Sequence, residues 1–377
     1  MRAVFVFIAA SIAATGPAWA QPGVILSHNF ENDTAAWSAM GPGAAVRVVR
    51  EAGLNGSTGA LSLTYQPGAG KIAGAVLPVS GQLARMQRIR FSVRSDHDTA
   101  VALLLSEKKP GGGDYTAWFW APAGVWQPVE LTPSDFTSNS GPNDAVDPDG
   151  KLDVDQVQGI ALFDLASVFS SMPARPDFPV AVSRPAGSHT LLLSGFQVLA
   201  SGAGERGAAT RALAIDTFDR GFLEWITLGG MTLQLSAKAN PLGMPALEAA
   251  YEQTEGRFAL LVRRLSNLDL SKAGRLAFDI ASERDAVLVV SLELSEARKS
   301  DGPRYNLTIF PPADRKPFHV NLRLADFEHD PNSPVAGPAH VDASRLKSLT
   351  ITDVTAASGG DTGSNRIWIG NVQALPE

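Results

Sequence analysis

Apolar and polar residues alternate along short stretches of this chain, with the two-residue period of a strand that has one buried face. In one of them, Ile89, Phe91 and Val93 alternate with arginine and serine. Further short apolar stretches that we predict to be strands are 99–106, 115–120, 129–131, 159–163 and 191–198. Because no long stretch has the period of an amphipathic helix, helical structure is expected only as single turns, at 153–157 and 342–346. The pattern predicts an all-β chain of antiparallel β-sandwich or jelly-roll type.

This pattern of strands and turns occurs twice, with a period of roughly 190 residues. Phe30, which precedes an acidic residue, and the later Trp37 match Phe218 and Trp225 in the second copy. Further matching stretches are 88–93 with 275–280, 105–107 with 294–296, 114–115 with 304–305, 129–136 with 320–327 and 191–199 with 367–375. Because the matches keep one order along the chain, we predict two tandem modules of the same fold.

The two copies are separated by residues 201–210, which are small and polar, as expected of a linker. We therefore predict module 1 at residues 21–200 and module 2 at residues 211–377. Residues 1–20 have a positive start, an apolar run of about twelve residues and small residues at the end, which is the pattern of a cleaved secretory signal peptide. The apolar run falls short of the roughly 20 residues that span a bilayer. The mature protein is expected in the periplasm or outside the cell, with no membrane span.

Composition and charge narrow the possible functions. The chain has no cysteine, so it forms no disulfide even in an oxidising compartment. Its net charge of −6 argues against nucleic acid as a partner. It contains no G-x-S-x-G, P-loop or H-E-x-x-H motif, and its six histidines are scattered without the spacing of metal ligands. The carboxylate pair Glu107 and Asp114 is not kept in the second copy, which has Glu296 and Arg304 there. We therefore predict that the chain is not an enzyme.

Two tryptophans are the best candidates for a binding site. Along residues 115–120, every second position from Tyr115 onward is apolar in both copies and is therefore expected in the core. The alternate positions hold Trp118 and Trp120 in the first copy, but Thr308 and Phe310 in the second. Flat aromatic rings suit the C–H faces of sugars, so the tryptophans predict a glycan-stacking platform. The alternative is that this face packs under a loop or against the other module. The predicted ligand-binding residues are Trp118, Trp120, Trp126, Arg90 and Asp114.

The order of motifs in each copy resembles a known fold family. It runs from a phenylalanine followed by an acid, through F-x-V-x-S at Phe91, Ser-Glu at Ser106 and a strand that begins at Tyr115, to Asp-Phe at Asp135. This order is similar to that of galactose-binding-like jelly-roll modules, among them the β-glucan-binding modules of cellulosomal enzymes and the complex I intermediate-associated proteins. The resemblance implies a binding or assembly module, in many relatives carbohydrate-binding and often with a structural calcium ion. The acid that relatives place in the last strand is missing here, which leaves as predicted calcium ligands Glu31, Asp33 and Asp219.

Two functional hypotheses follow. In the first, the chain is an exported, non-catalytic carbohydrate-binding protein that holds a polysaccharide or oligosaccharide on the tryptophans of module 1. In the second, it is a structural or assembly protein of the bacterial envelope that docks a protein partner through its sandwich faces. Because the second copy lacks the tryptophan pair, we expect module 1 to bind and module 2 to serve mainly as a scaffold or docking surface.

Overall fold

The computed structural model describes residues 23–54, 57–66, 72–139, 144, 147–165, 187–200, 212–221, 223–256, 258–296 and 302–377. Within these residues the chain consists of short β-strands joined by turns and single 3-10 turns. The predicted signal peptide and linker lie outside the described residues. None of the helical segments in the described part of the chain has the length and apolar character needed to cross a membrane.

The strands of module 1 form two sheets. They are β1 (Val24–His28), β2 (Ser38–Met40), β3 (Ala45–Val49), β4 (Ala60–Tyr65), β5 (Gly74–Pro78), β6 (Arg88–Ser95), β7 (Thr99–Glu107), β8 (Asp114–Ala121), β9 (Gln127–Leu131), β10 (Thr137–Ser138), β11 (Val157–Asp164) and β12 (His189–Leu199). Sheet A has the order β3-β4-β12-β6-β9, and β1 also pairs with β12. Sheet B has the order β10-β8-β7-β11-β5-β2. A 3-10 turn at Pro133–Asp135 follows β9.

The strands of module 2 repeat this arrangement. They are β13 (Leu213–Asp216), β14 (Trp225–Leu228), β15 (Thr232–Ser236), β16 (Ala246–Gln253), β17 (Ala259–Arg264), β18 (Arg275–Ser282), β19 (Leu288–Leu294), β20 (Arg304–Ile309), β21 (Phe318–Arg323), β22 (Glu328–His329), β23 (Leu346–Asp353) and β24 (Gly363–Leu375). Sheet C has the order β15-β16-β24-β18-β21, with β13 on β24, and sheet D has the order β14-β17-β23-β19-β20-β22. Three 3-10 turns lie at Leu324–Asp326, Ala343–Arg345 and Ala356–Ser358.

Each module is an antiparallel β-sandwich, which confirms the predicted fold class. The chain passes repeatedly from one sheet to the other, as in a jelly roll, and the named pairs are antiparallel. Alternation along the strands places one face of each sheet in the core, so that Ile89, Phe91 and Val93 of β6 are fully buried in module 1. The predicted strands all fall within observed ones. The turn predicted at 342–346 contains the 3-10 turn, and the one at 153–157 is a hydrogen-bonded turn.

Details of the first loop confirm that the two modules are copies. Phe30 and Phe218 both have a φ of 56°, the left-handed conformation that few non-glycine residues adopt. In module 1 the indole N–H of Trp37 donates to Nδ1 of His28 over 3.1 Å. In module 2 the indole N–H of Trp225 donates to a carboxylate oxygen of Asp216 over the same distance. The same loop geometry is therefore built around different acceptors.

The apolar core of module 2 continues onto the outward side of sheet B. The buried residues that module 1 contributes to this shared cluster are Ala100, Ala102, Trp120, Ala161, Phe163 and Leu165. They alternate along β7, β8 and β11 with the residues of the module 1 core, so these strands are apolar on both sides. The two modules are consequently packed against each other through an apolar contact.

Candidate functional site

The predicted tryptophan platform lies on the outward side of strand β8, as the comparison of the two copies indicates. Tyr115, Ala117 and Phe119 are buried in the core of module 1, and each is at most 2% exposed. Trp118 and Trp120 therefore point away from that core. This is the side of sheet B against which module 2 packs.

Trp120 is covered by module 2. Its side chain is 4% exposed and belongs to the apolar cluster that includes Trp225 and Ile226 of module 2. Its backbone N–H donates to the carbonyl of Leu223 over 2.9 Å, which forms an antiparallel bridge between the modules. A ring enclosed in this way offers no face to a sugar. Trp120 therefore packs against the other module, which is the alternative to a glycan platform that the sequence left open.

Trp118 is half-buried beneath an arginine of module 2. The guanidinium carbon of Arg264 lies 4.3 Å from the centre of the indole ring. One guanidinium nitrogen, Nη1, also donates to the carbonyl and to the hydroxyl of Thr116, each over 2.9 Å. Burial, together with the neighbouring Arg263, lowers the pKa of Arg264 to about 9, so the guanidinium remains charged at neutral pH. This face of Trp118 is occupied by a cation–π contact.

Charged side chains complete the contact between the modules. Arg220 of module 2 donates to the carbonyl of Glu130 over 2.8 Å and pairs with Asp135 over 3.2 Å. It also pairs with Glu224 over 3.0 Å, and Glu224 in turn pairs with the buried Arg263. Since module 1 supplies Asp135 and module 2 supplies Arg220, this group of charges fixes the orientation of the two modules.

Asp216 extends this charged group into module 2. Burial raises the pKa of its carboxyl to about 6, and the nearby Glu224 carboxylate adds to the rise, although Arg263 acts in the opposite direction. The guanidinium Nε of Arg263 lies 3.9 Å from the Asp216 carboxylate, whereas Arg263 hydrogen-bonds directly to Glu224. Two carboxylates therefore compete for one buried guanidinium, and Asp216 takes up a proton more readily than an exposed aspartate.

The pocket at this contact is too small for a sugar. Its volume is about 10 Å³, and it lies between Trp118, Asp135, Arg263 and Asn267. That volume holds one water molecule, whereas a pyranose ring needs many times more. The contact between the modules is therefore a packed interface and not a binding cleft.

The structure does not bring the five predicted ligand-binding residues together. Arg90 lies in sheet A and pairs with Glu130 over 2.8 Å. Trp126 precedes β9 of sheet A, where the guanidinium of Arg94 lies 5.3 Å from its ring. Asp114 is on strand β8 with Trp118, four residues before it. Its carboxylate pairs with Lys109 over 3.2 Å and accepts the hydroxyl of Ser106 over 2.6 Å. These residues belong to separate local contacts on two sheets.

The predicted calcium ligands are exposed loop residues in both modules. Asp33 accepts a backbone N–H over 2.8 Å, and Asp219 accepts the hydroxyl of Thr217 over 2.7 Å. Glu31 accepts the hydroxyl of Thr58 over 3.4 Å. In the described part of the chain, the group of three side chains that lie close enough together to hold a metal ion is elsewhere, at Asp96, His97 and His189. Calcium at Glu31, Asp33 or Asp219 therefore stays a prediction.

Glu107 has a structural role. It is 2% exposed, and its carboxylate accepts the backbone N–H of Gly113 over 2.7 Å and that of Asp153 over 2.5 Å. Burial raises the pKa of this carboxyl, although the two N–H groups oppose the rise. Glu107 thus fastens two loops to the end of β7.

The matching side of module 2 is open where that of module 1 is closed. Phe310, which directly follows β20, is 66% exposed, and it stands at the position that Trp120 occupies in module 1. Alternation places Thr308 and Asn306 of β20 on the same side as Phe310. The comparison of the two copies placed Thr308 and Phe310 outside the core, but the sequence did not predict that Phe310 is exposed, because that depends on which face the other module covers.

Small polar side chains continue this surface across the next two strands. Strand pairing sets Thr308 beside Val289 and then Thr352, and sets Asn306 beside Ser291 and then Thr350. The six outward positions on β20, β19 and β23, together with Phe310, are called the Phe310 face below: Asn306, Thr308, Val289, Ser291, Thr350 and Thr352. Thr352, at the inner end of this face, is buried and only 8% exposed. Neighbouring side chains are about 4.8 Å apart across the strands. The amide oxygen of Asn306 is buried without a hydrogen-bond partner.

Comparison with known proteins gives similarity at the level of structure alone. Neither a protein-family model nor a curated protein matches the sequence. A family 11 carbohydrate-binding module from a cellulosomal cellulase of Clostridium thermocellum is similar over 45% of this chain and 97% of that chain, with 18% identity and a TM-score of 0.36. A tandem pair of family 22 modules from a Paenibacillus barcinonensis protein is similar over 95% of this chain and 99% of that chain, with 15% identity and a TM-score of 0.31. A family 30 carbohydrate-binding module is similar over 39% of this chain and 84% of that chain, with 16% identity and a TM-score of 0.29.

Proposed function

We propose that the chain is an exported, non-catalytic carbohydrate-binding protein that holds a polysaccharide or oligosaccharide on the Phe310 face of module 2. The observation that carries this proposal is the 66% exposure of Phe310 beside a hydroxyl and an amide. An aromatic ring in that setting offers an apolar surface for the C–H face of a sugar, and the polar groups beside it bind the hydroxyls.

The energetics of this face favour a ligand that is apolar on one side and rich in hydroxyls at its rim. Covering an exposed phenylalanine contributes about 1.5–3 kcal/mol. The hydroxyl of the exposed Thr308, two residues before Phe310 on the same side of β20, can hydrogen-bond a ligand hydroxyl, which adds about 1 kcal/mol. The six positions of the Phe310 face bear hydroxyls, an amide and a valine but no charge, and the neighbouring Arg304 and Glu293 are engaged in ion pairs with Asp330 and Lys347. This composition suits a neutral sugar.

The duplication supports an assignment to module 2. The same outward side of module 1 is apolar and closed by the neighbouring module, with Trp120 4% exposed. In module 2 the corresponding side is polar and carries the exposed Phe310. The roles are therefore the reverse of those expected from the tryptophans, with module 1 as the support and module 2 as the binding module.

A non-catalytic role agrees with the state of the candidate carboxylates. Glu107 is engaged with two backbone N–H groups, and Asp114 is engaged with a lysine and a serine. A glycosidase needs one such group held free as an acid and a second placed opposite it. These two side chains are instead committed to loop and strand contacts.

Affinity electrophoresis through gels that contain soluble glucans, xylans, galactans or mannans tests the proposal. We expect at least one polysaccharide to retard the protein, and Phe310→Ala to weaken that binding at least tenfold. Phe318→Ala is the matched control, since Phe318 is 37% exposed but lies in sheet C of the same module. It should bind as the unchanged protein does.

Two results would overturn the proposal. One is that no polysaccharide retards the protein. If, in addition, a cross-linker placed at position 310 captures a partner protein, the assembly role is favoured. The other is binding that survives Phe310→Ala but is lost in Trp118→Ala, which would return the site to module 1.

A further inference from the structure

The turn between β6 and β7 brings an aspartate and a histidine next to a second histidine from a distant strand. Asp96 and His97 lie in this turn, and His189 is the first residue of β12. The Asp96 carboxylate oxygen Oδ1 is 2.7 Å from Nδ1 of His97 and 3.2 Å from Nδ1 of His189. The two imidazole rings have their centres 4.0 Å apart. The two histidines are 92 residues apart in the sequence, and only the pairing of strands in sheet A brings them together.

We propose that Asp96, His97 and His189 bind a divalent transition-metal ion of the zinc type. One carboxylate oxygen and two imidazole nitrogens, all within 4.8 Å of one another, can be offered to a single ion. Zinc bonds of about 2.0–2.2 Å in a tetrahedral site place ligand atoms about 3.3 Å apart, close to the separations found here. Two nitrogens and one oxygen suit zinc, nickel or copper, whereas calcium takes oxygen ligands alone.

A second layer of side chains holds His97 in place. Its other ring nitrogen, Nε2, is 3.2 Å from the carboxylate of Asp164, which is fully buried. Asp164 is fixed in turn by the hydroxyls of Tyr65 and Thr99, each over 2.5 Å. A carboxylate behind a ligating histidine orients the ring and makes it a better donor, and such partners recur at metal sites in proteins.

Module 2 shows that these histidines are not required by the fold. It keeps the buried tyrosine–aspartate pair, with the hydroxyl of Tyr251 donating to Asp353 over 2.5 Å. At the strand position that His189 occupies opposite Tyr65, module 2 has Asn365 opposite Tyr251. The sandwich therefore closes this end without imidazoles, and the donor set is particular to module 1.

Two ring nitrogens of the cluster are buried without a hydrogen bond, Nε2 of His97 and Nε2 of His189. The former still lies 3.2 Å from the Asp164 carboxylate as an ion-pair contact. Nδ1 of the same His189 ring lies 3.2 Å from the Asp96 carboxylate, so hydrogen bonding within the protein reaches only one of its two ring nitrogens. A metal ion bound at Nδ1 of His189 takes the place of the hydrogen bond to Asp96 and neutralises the charge of that carboxylate.

Titration of tag-free protein with zinc, followed by isothermal calorimetry, tests the proposal, with the cobalt complex providing an absorption spectrum in the visible range. We expect one ion per chain, a higher thermal midpoint with zinc, and no displacement by a large excess of calcium. His189→Gln and Asp96→Asn should each weaken zinc binding at least 100-fold. His340→Gln, an exposed histidine in module 2, is the control and should bind zinc as the unchanged protein does.

Several outcomes would overturn the proposal. They are the absence of zinc binding, equal losses in the control and the cluster variants, or a cobalt spectrum that persists in Asp96→Asn. Should His189→Gln fail to fold, Asp96→Asn decides, because the asparagine keeps the shape of the side chain and its turn but loses the charge.

Discussion

Trp120 offers the sharpest test of whether the two modules form one unit. A tryptophan buries about 150–250 Å² of surface, and its replacement by alanine in a packed site costs about 3–5 kcal/mol. Because Trp120 is 4% exposed and its partners include the core of module 2, we expect Trp120→Ala to lower the free energy of unfolding by that amount. The indole N–H is buried without an acceptor, so Trp120→Phe should cost less, about 1–2 kcal/mol.

Urea denaturation followed by circular dichroism measures this effect. We expect the unchanged protein to unfold in one transition and Trp120→Ala to unfold in two, because the modules lose their shared core. Trp126→Ala is the control, since Trp126 is half-buried in a turn and contacts mainly Arg94, and it should cost about 1 kcal/mol. An unchanged unfolding curve for Trp120→Ala, together with a loss of polysaccharide binding, would refute the packing described here and restore the platform.

Two further predictions concern the contact between the modules. Arg264→Lys should lower the free energy of unfolding by about 1–3 kcal/mol, because a lysine cannot both stack on Trp118 and donate twice to Thr116. The control Arg323→Lys, at an exposed arginine, should change the free energy of unfolding little. Equal losses in the two variants would contradict the role given to Arg264. For Asp216 the folded pKa of about 6 lies above the unfolded value of about 3.8, so its contribution to stability is full below pH 3.8 and is lost as the pH rises to 6. The difference in unfolding free energy between the unchanged protein and Asp216→Asn should therefore fall by about 1.4 kcal/mol per pH unit across that window, and a flat or rising difference measured in urea would contradict the raised pKa.

The fold could be predicted because its signals are local and repeated. Alternation along β6 marks one wet and one buried face, and the repeat of the whole pattern marks two modules. The face that module 2 covers also has a local signal. In β7, residues 100–105 are apolar at every position, which is typical of a strand buried on both sides. In the corresponding β19, the buried Leu288, Val290, Leu292 and Leu294 alternate with the half-buried Val289, Ser291 and Glu293, as in a strand that is fully covered on one side only.

The candidate sites could not be predicted because they depend on contacts between distant parts of the chain. Arg264 reaches Trp118 only once the modules dock, and nothing near Trp118 in the sequence announces that partner. Docking of the modules covers Trp120 but leaves Phe310, at the corresponding position of module 2, exposed. His97 and His189 meet through the pairing of β6 with β12, which brings the end of one strand to the start of the other.

Hydroxyl-radical footprinting of the free protein and of its complex with an oligosaccharide shows which of the two aromatic residues contacts the sugar. We expect Phe310 to be oxidised rapidly in the free protein and to be protected in the complex. We also expect Trp120 to be protected in both, because module 2 covers it. Rapid oxidation of Trp120 in the free protein, with protection by the sugar there and not at Phe310, would contradict the proposed site on module 2.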